Sequence, residues 1–155
     1  EYAREARSDL RSKANALALA ARQCARCARE REIIKPDIKQ EGEPLADFLQ
    51  DARRDVSPDL EAAMLGHYKA LAQPGAGFDA AYAVLGAQRN AKIIGIFTRL
   101  WQRDGKPRYL GFLPRMWALL ERDLAHPALA PVAEWFARNI PAEVRARSPE
   151  EQAAA

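Results

Sequence analysis

The stretch Phe78-Asp-Ala-Ala-Tyr82-Ala-Val-Leu85-Gly-Ala-Gln88-Arg89-Asn90-Ala-Lys92-Ile-Ile-Gly95-Ile-Phe97-Thr-Arg99-Leu-Trp101-Gln-Arg103 decides the fold. With Gln88 set at zero and about 100° per residue, Phe78, Tyr82, Leu85, Ile93, Ile94, Ile96, Phe97, Leu100 and Trp101 fall on an arc from about 60° to 240°. Lys92, Gly95 and Arg99 lie beside Gln88 on the opposite, polar side. This is helical periodicity over 26 residues; the β-branched Ile93-Ile94-Gly95-Ile96 alone would mimic a strand. Asp104-Gly105-Lys106-Pro107 ends the helix, with glycine and then proline after the last turn. Arg89 and Asn90 break the division, pointing at about 100° and 200°, inside the apolar arc. An arginine there needs an acidic partner, because breaking a buried pair costs about 3–5 kcal/mol. Asp51 or Asp55 on the preceding helix is the expected partner. The other reading has Arg89, with Gln88 and Lys92, lining a pocket for an anion or a sugar.

Working outward, the rest of the chain reads as helix too. Leu45, Phe48 and Leu49 mark a short amphipathic helix over residues 45–54. Ser57-Pro58-Asp59 starts another, with the Ser57 hydroxyl as cap and Pro58 in the first turn. Its apolar stripe is Leu60, Met64, Leu65, Tyr68 and Leu71, and Pro74-Gly75-Ala76-Gly77 stops it. Pro114 opens a helix carrying Met116, Trp117, Leu120 and Leu124; Pro127 and Pro131 frame a last one with Val132, Trp135 and Phe136. Trp101, Trp117 and Trp135 are expected in the core. The fold class is all-α. Residues 45–141 form the main helical unit, and residues 142–155 read as a frayed tail.

Upstream, residues 3–32 lack Gly and Pro and are rich in Ala, Arg, Leu and Glu, which predicts one long helix over residues 1–34. Leu10, Ala14, Leu17, Ala21, Cys24 and Ala28 make a narrow seam for one partner helix. Residues 35–44, with Pro36, Gly42 and Pro44, read as a linker. The 155 residues carry a formal charge of +3, and all of this excess sits in residues 1–32, which hold eight Lys/Arg against five acids. So small and interrupted an excess reads as a solvated helix face, and nucleic acid is not an expected partner. Cys24 and Cys27 form half of a zinc motif, but His67 and His126 are too distant to complete it; packing cysteines are expected, and no metal. No apolar run is long enough to span a membrane. With no signal peptide visible, the expectation is a cytoplasmic protein, and the start at Glu1 reads as a processed chain or an excised piece.

Three ordered segments resemble one family: Leu49-Gln-Asp-Ala-Arg-Arg-Asp-Val-Ser-Pro58, Leu85-Gly-Ala-Gln-Arg-Asn-Ala-Lys-Ile-Ile-Gly-Ile-Phe-Thr-Arg-Leu100, and Arg103-Asp-Gly-Lys-Pro-Arg-Tyr-Leu110. Leu120–Pro141, with Asp123-Leu-Ala-His-Pro-Ala-Leu-Ala-Pro131, continues the likeness. Residues 44–141 are similar to the bacterial cell-wall-recycling kinases of the aminoglycoside-phosphotransferase fold, which phosphorylate the anomeric hydroxyl of N-acetylmuramate and N-acetylglucosamine. The resemblance implies the C-terminal helical subdomain of such a kinase, supporting and partly walling the acceptor-sugar site. It also implies ATP and Mg²⁺ for the whole enzyme, none expected for this chain alone, with an amino sugar and a missing kinase lobe as partners. Phosphoryl transfer is positioning plus neutralisation of phosphate charge, so it needs a phosphate loop, a catalytic-loop Asp with a downstream Asn, and a metal-binding Asp. The sequence offers none of these. Gly75-Ala-Gly77 lacks a following Lys, no His-x-Asp precedes an Asn, and Asp47-Phe48 with Asp51 only superficially resembles the metal motif. Residues 1–43 depart from the family where its catalytic loop should lie. The expectation is a chain inactive by itself, with no catalytic residue and with Gln88, Arg89 and Lys92 as substrate-binding candidates. The alternative is a non-catalytic helical interaction module docking through residues 1–32.

Overall fold

A computed structural model describes residues 44–145, and its described part is all-α. The expected helix over residues 1–34, its Ala–Cys seam, the linker up to residue 43 and the tail 146–155 lie outside the described residues. Residues 44–49 are helical and lead through turns at 50–56 into α1, Pro58–Ala72. The long α2 spans Phe78–Asp104; a 3-10 segment, Pro107–Phe112, joins it to α3, Leu113–Leu124. A 3-10 turn at Pro127–Leu129 precedes α4, Ala130–Asn139, and one further turn, α5, covers Ala142–Arg145.

Local chemistry accounts for these boundaries. Ser57 Oγ accepts from Leu60 N–H at 3.2 Å, and Pro58 occupies the first turn. The cap of α2 is Gly105 at φ 62°, whose N–H bonds the Trp101 carbonyl at 3.0 Å. The first helix stops at residue 49, earlier than the expected 54, because the Asp51 carboxylate accepts the Arg53 N–H at 2.7 Å and turns the chain. Residues 142–145, read as frayed, make a helical turn instead. Arg145 ties it down, donating to the Ile140 carbonyl at 2.6 Å and pairing with Glu121 at 3.0 Å.

Among the described residues two apolar clusters form the interior. The larger joins Val84, Ala87, Ala91 and Ile94 of α2 to Met116, Trp117, Leu120 and Leu124 of α3 and to Leu129, Val132 and Phe136. Trp117 and Trp135 meet Phe136 edge-on, at centroid distances of 6.3 and 5.3 Å. Trp117 is buried, whereas Trp101 and Trp135 are half-buried on the rim. The smaller cluster packs Ala46 and Leu49 on Phe78 and Tyr82, with Leu65 and Tyr68 of α1 alongside.

Two expectations about inward faces need correction. Phe48 is 54% exposed, with the Arg54 guanidinium over its ring at 4.5 Å. On α1, Leu60, Met64 and Leu71 face outward, and the side turned to α2 carries Glu61, Leu65 and Tyr68. The reason is Glu61: it belongs to a buried polar network, and meeting that network rotates the helix about its axis.

Candidate functional site

Between the two clusters lies a polar centre assembled from four segments. Gln50, Glu61, Asn90 and Asp123 are all buried, and they come from the first turn, α1, α2 and α3 respectively. Gln50 Nε2 donates to Glu61 Oε1 and to Asp123 Oδ1, both at 3.0 Å. Asn90 Nδ2 donates to Gln50 Oε1 at 2.7 Å and to Asp123 Oδ2 at 2.9 Å. Tyr82 OH donates to Glu61 Oε1 at 2.8 Å, and Arg122 Nη2 bonds Glu61 Oε2 from the half-open side. Every amide hydrogen of Gln50 and Asn90 is thereby used.

Gly86 makes room for this. A Cβ built there would stand 2.7 Å from Asp123 Oδ2 and 2.8 Å from Gln50 Oε1. Glycine is needed for that close approach, because a methyl group has no space beneath two hydrogen-bonded side chains.

The electrostatics follow from burial. Asp123 is pushed up to about 7, chiefly by loss of water and also by Glu61, against the amide bonds from Gln50 and Asn90 and the charge of Arg122. Burial and the neighbouring Glu61 raise the Tyr82 phenol far above its ordinary range.

The sequence-predicted residues stand at the edge of this centre. Arg89 pairs with Asp47, not with Asp51 or Asp55, and donates through Nη1 to the Gln50 carbonyl at 2.7 Å. Asp51 is occupied by Arg53 and Asp55 by Arg115, leaving Asp47, one helical turn earlier, to face α2. The guanidinium thus clamps the 44–49 helix and the turn after it onto α2. Gln88 is half-buried and Lys92 exposed, and neither joins Arg89 in a common pocket contact among the described residues. His126 Nδ1 accepts from the Ala128 N–H at 3.2 Å and caps a turn. Among the described residues no group of three or more His, Cys, Asp or Glu is placed to hold a metal, and no helix is long and apolar enough to cross a membrane.

Asn90 was marked in the sequence by its position inside the apolar arc. The same signal was available for Asp123, seven residues after Met116 and three after Leu120, and for Glu61, four before Leu65 and seven before Tyr68. Gln50 and Gly86 carry no such mark; their part appears only when three other segments converge.

No family model matches the chain. It is 50% identical over 104 residues to an N-acetylmuramate/N-acetylglucosamine kinase of Caulobacter vibrioides, a match covering 65% of this chain and 28% of that protein. It is 51% identical over 55 residues to the kinase of the same description from Pseudomonas aeruginosa, covering 35% of this chain and 16% of that protein. A third, from Pseudomonas putida, is 46% identical over 61 residues, covering 39% of this chain and 18% of that protein. The chain therefore spans between about a sixth and somewhat over a quarter of the curated relatives it matches. Over these residues it is similar in sequence to a segment of the N-acetylmuramate/N-acetylglucosamine kinases.

Proposed function

We propose that this chain corresponds to the acceptor-side helical portion of an ATP-dependent amino-sugar kinase and does not phosphorylate a sugar by itself. The observation that carries the reading is the 50% identity over 104 residues to a kinase of that description. A sequence kept at that level over 104 residues supports the same helical scaffold. The reaction needs groups to hold nucleotide and metal, and the sequence carries no phosphate loop and no catalytic Asp–Asn pair. In this reading ATP and Mg²⁺ bind on the portion of the kinase that this segment does not supply.

Arg89 then serves as a structural clamp, while Gln88 and Lys92, on the polar side of α2, are left to face the sugar. The test is a chimera in which the matching segment of the Caulobacter kinase is replaced by this chain's residues 44–141. The reading expects sugar-dependent ADP release from the chimera with Mg-ATP and N-acetylmuramate or N-acetylglucosamine, and none from the isolated chain. Turnover by the isolated chain overturns the inactive half of the proposal. A folded but silent chimera overturns the assignment to the kinase. Lys92→Ala in an active chimera is expected to raise KM for the sugar more than it lowers kcat.

The second reading, a non-catalytic helical module, is favoured by the outward stripe of Leu60, Met64 and Leu71 on α1, since exposed apolar stripes mark association surfaces. An unchanged monomer in size-exclusion runs of the chain and of its Leu60→Glu/Leu71→Glu variant would end it.

A further inference from the structure

We propose that the outward face of α1 is the docking surface for this chain's own residues 10–28, a segment outside the described residues. Leu60, Met64 and Leu71 stand 51%, 41% and 74% exposed on that face, and Ala63, Gly66 and His67 between them are exposed as well. The charges of α1 lie elsewhere: Asp59 in the first turn, Glu61 in the buried network, and Lys69 paired with Asp79. From Leu60 to Leu71 the face therefore carries no Asp, Glu, Lys or Arg, whereas a helix face that meets water is ordinarily charged or polar. Gly66 points the same way. Glycine weakens a helix interior relative to alanine, and a Cβ there would meet nothing within 4 Å among the described residues, so their packing does not require it. A second helix crossing at close range does.

The sequence of residues 10–28 matches this face in spacing and complements it in size. Leu60, Met64, His67 and Leu71 recur at intervals of four, three and four. Leu10, Ala14, Leu17, Ala21, Cys24 and Ala28 recur at intervals of four, three, four, three and four. That shared alternation is the register in which two helices seat side chains in each other's gaps. Bulky side chains line α1 and mostly small ones line the segment, so large knobs meet shallow holes. Residues 14–21 hold no Asp, Glu, Lys or Arg on any side, and a helix without a charged side is one that packing covers.

Connectivity selects this occupant over a second copy of the chain. Leu45 packs in the smaller cluster together with Leu65 and Tyr68 of α1, so the chain passes beside that helix where it joins the segment. Ten residue steps separate residue 34 from residue 44, a reach of up to about 35 Å, longer than the roughly 22 Å of α1. A tether of that length holds the segment at an effective concentration in the millimolar range, far above that of another molecule at micromolar concentration. This inference does not rest on the kinase reading. It gives the stripe an occupant within the chain, where the non-catalytic reading leaves it to another molecule.

The experiment uses the full chain at micromolar concentration, with its mass measured by light scattering and its amide hydrogen exchange followed at neutral pH. The expected result is a monomer in which residues 14–28 exchange at least about tenfold more slowly than in Leu60→Glu/Leu71→Glu, while Leu119 and Leu120 agree within about twofold. Both substituted side chains are exposed, whereas Leu119 and Leu120 sit in the larger cluster and report on the fold. In a Cys24→Ala chain carrying a benzophenone on Cys27, beside the seam, photo-cross-links are expected on residues 59–73 of the same chain. Unprotected exchange in residues 14–28, equal protection in the double variant, or cross-links confined to α2, α3 and α4 overturn the proposal. A dimer whose cross-links join two chains overturns it too, and gives the face to a second copy. Should the double variant lose protection at Leu119 and Leu120, the cross-links on the unaltered face decide the matter alone.

Discussion

Along α2, the residues from Ala81 to Ala87 are all buried, whereas from Lys92 onward only Ile94 is. The enclosed half mixes small residues, Ala81, Ala83, Gly86, Ala87 and Ala91, with the larger Tyr82, Val84 and Leu85 and the polar Asn90; the open half holds Ile93, Ile96, Phe97, Leu100 and Trp101, all half-buried. Small side chains let three other segments come close enough to hydrogen-bond across the helix. The first half is organised by polar geometry, the second by apolar area.

The largest expected effect sets a charge into the polar half. Asn90→Asp would place a third carboxylate against Gln50 and Asp123 and remove two donated hydrogen bonds, at about 3–5 kcal/mol at pH 8. Urea unfolding at pH 8 and pH 5 checks this, with part of the loss recovered at the lower pH as the new carboxyl protonates. A cost under about 1 kcal/mol would mean that the network is solvated in solution.

Next comes pH. Asp123 holds its proton to about 7 in the folded chain, against an ordinary 3.8. Its contribution is therefore full below about pH 4, declines as pH rises through 7, and is flat above. The gap corresponds to about 4 kcal/mol at most. Asp51 acts in the opposite sense: burial would raise it, but the bonds from Arg53 outweigh that and hold it below 3.8. The stability of the wild type minus that of Asp123→Asn across pH 4–8 isolates the first effect. A flat difference would break the contrast between the two halves.

Arg89→Ala should cost about 1–2 kcal/mol, because it frees the Gln50 carbonyl and unpairs Asp47 at a part-exposed site. Lys92→Ala, three residues on and exposed, should stay within about 0.5 kcal/mol. Chemical denaturation of the two variants side by side separates a clamp from a surface charge.

The helices were legible because 3.6-residue periodicity, Ser57 with Pro58, and Gly105 with Pro107 are local signals that tertiary contacts reinforce. The face of α1 was not. Periodicity ranks Leu60, Met64 and Leu71 inward by hydrophobicity, yet a single carboxylate, Glu61, meets Gln50, Tyr82 and Arg122 and turns them out. The partner of Arg89 was missed for a related reason. Three acids lay within reach in sequence, and the choice depended on Arg53 and Arg115 claiming two of them. Asn90 could be seen as misplaced on an apolar arc, but what it bonds to comes from residues 40 and 33 positions away.

The most direct test of the account compares two glycines on one helix. Gly86 lies under Gln50 and Asp123, whereas a Cβ at Gly95 would meet nothing within 4 Å among the described residues. Urea unfolding of Gly86→Ala and Gly95→Ala should move stability in opposite directions, down by about 2–3 kcal/mol at residue 86 through overpacking and up by about 0.5–1 kcal/mol at residue 95 through helix propensity. Equal gains at both positions would contradict the account, since they would mean that no side chains from the first segment and α3 meet over Gly86.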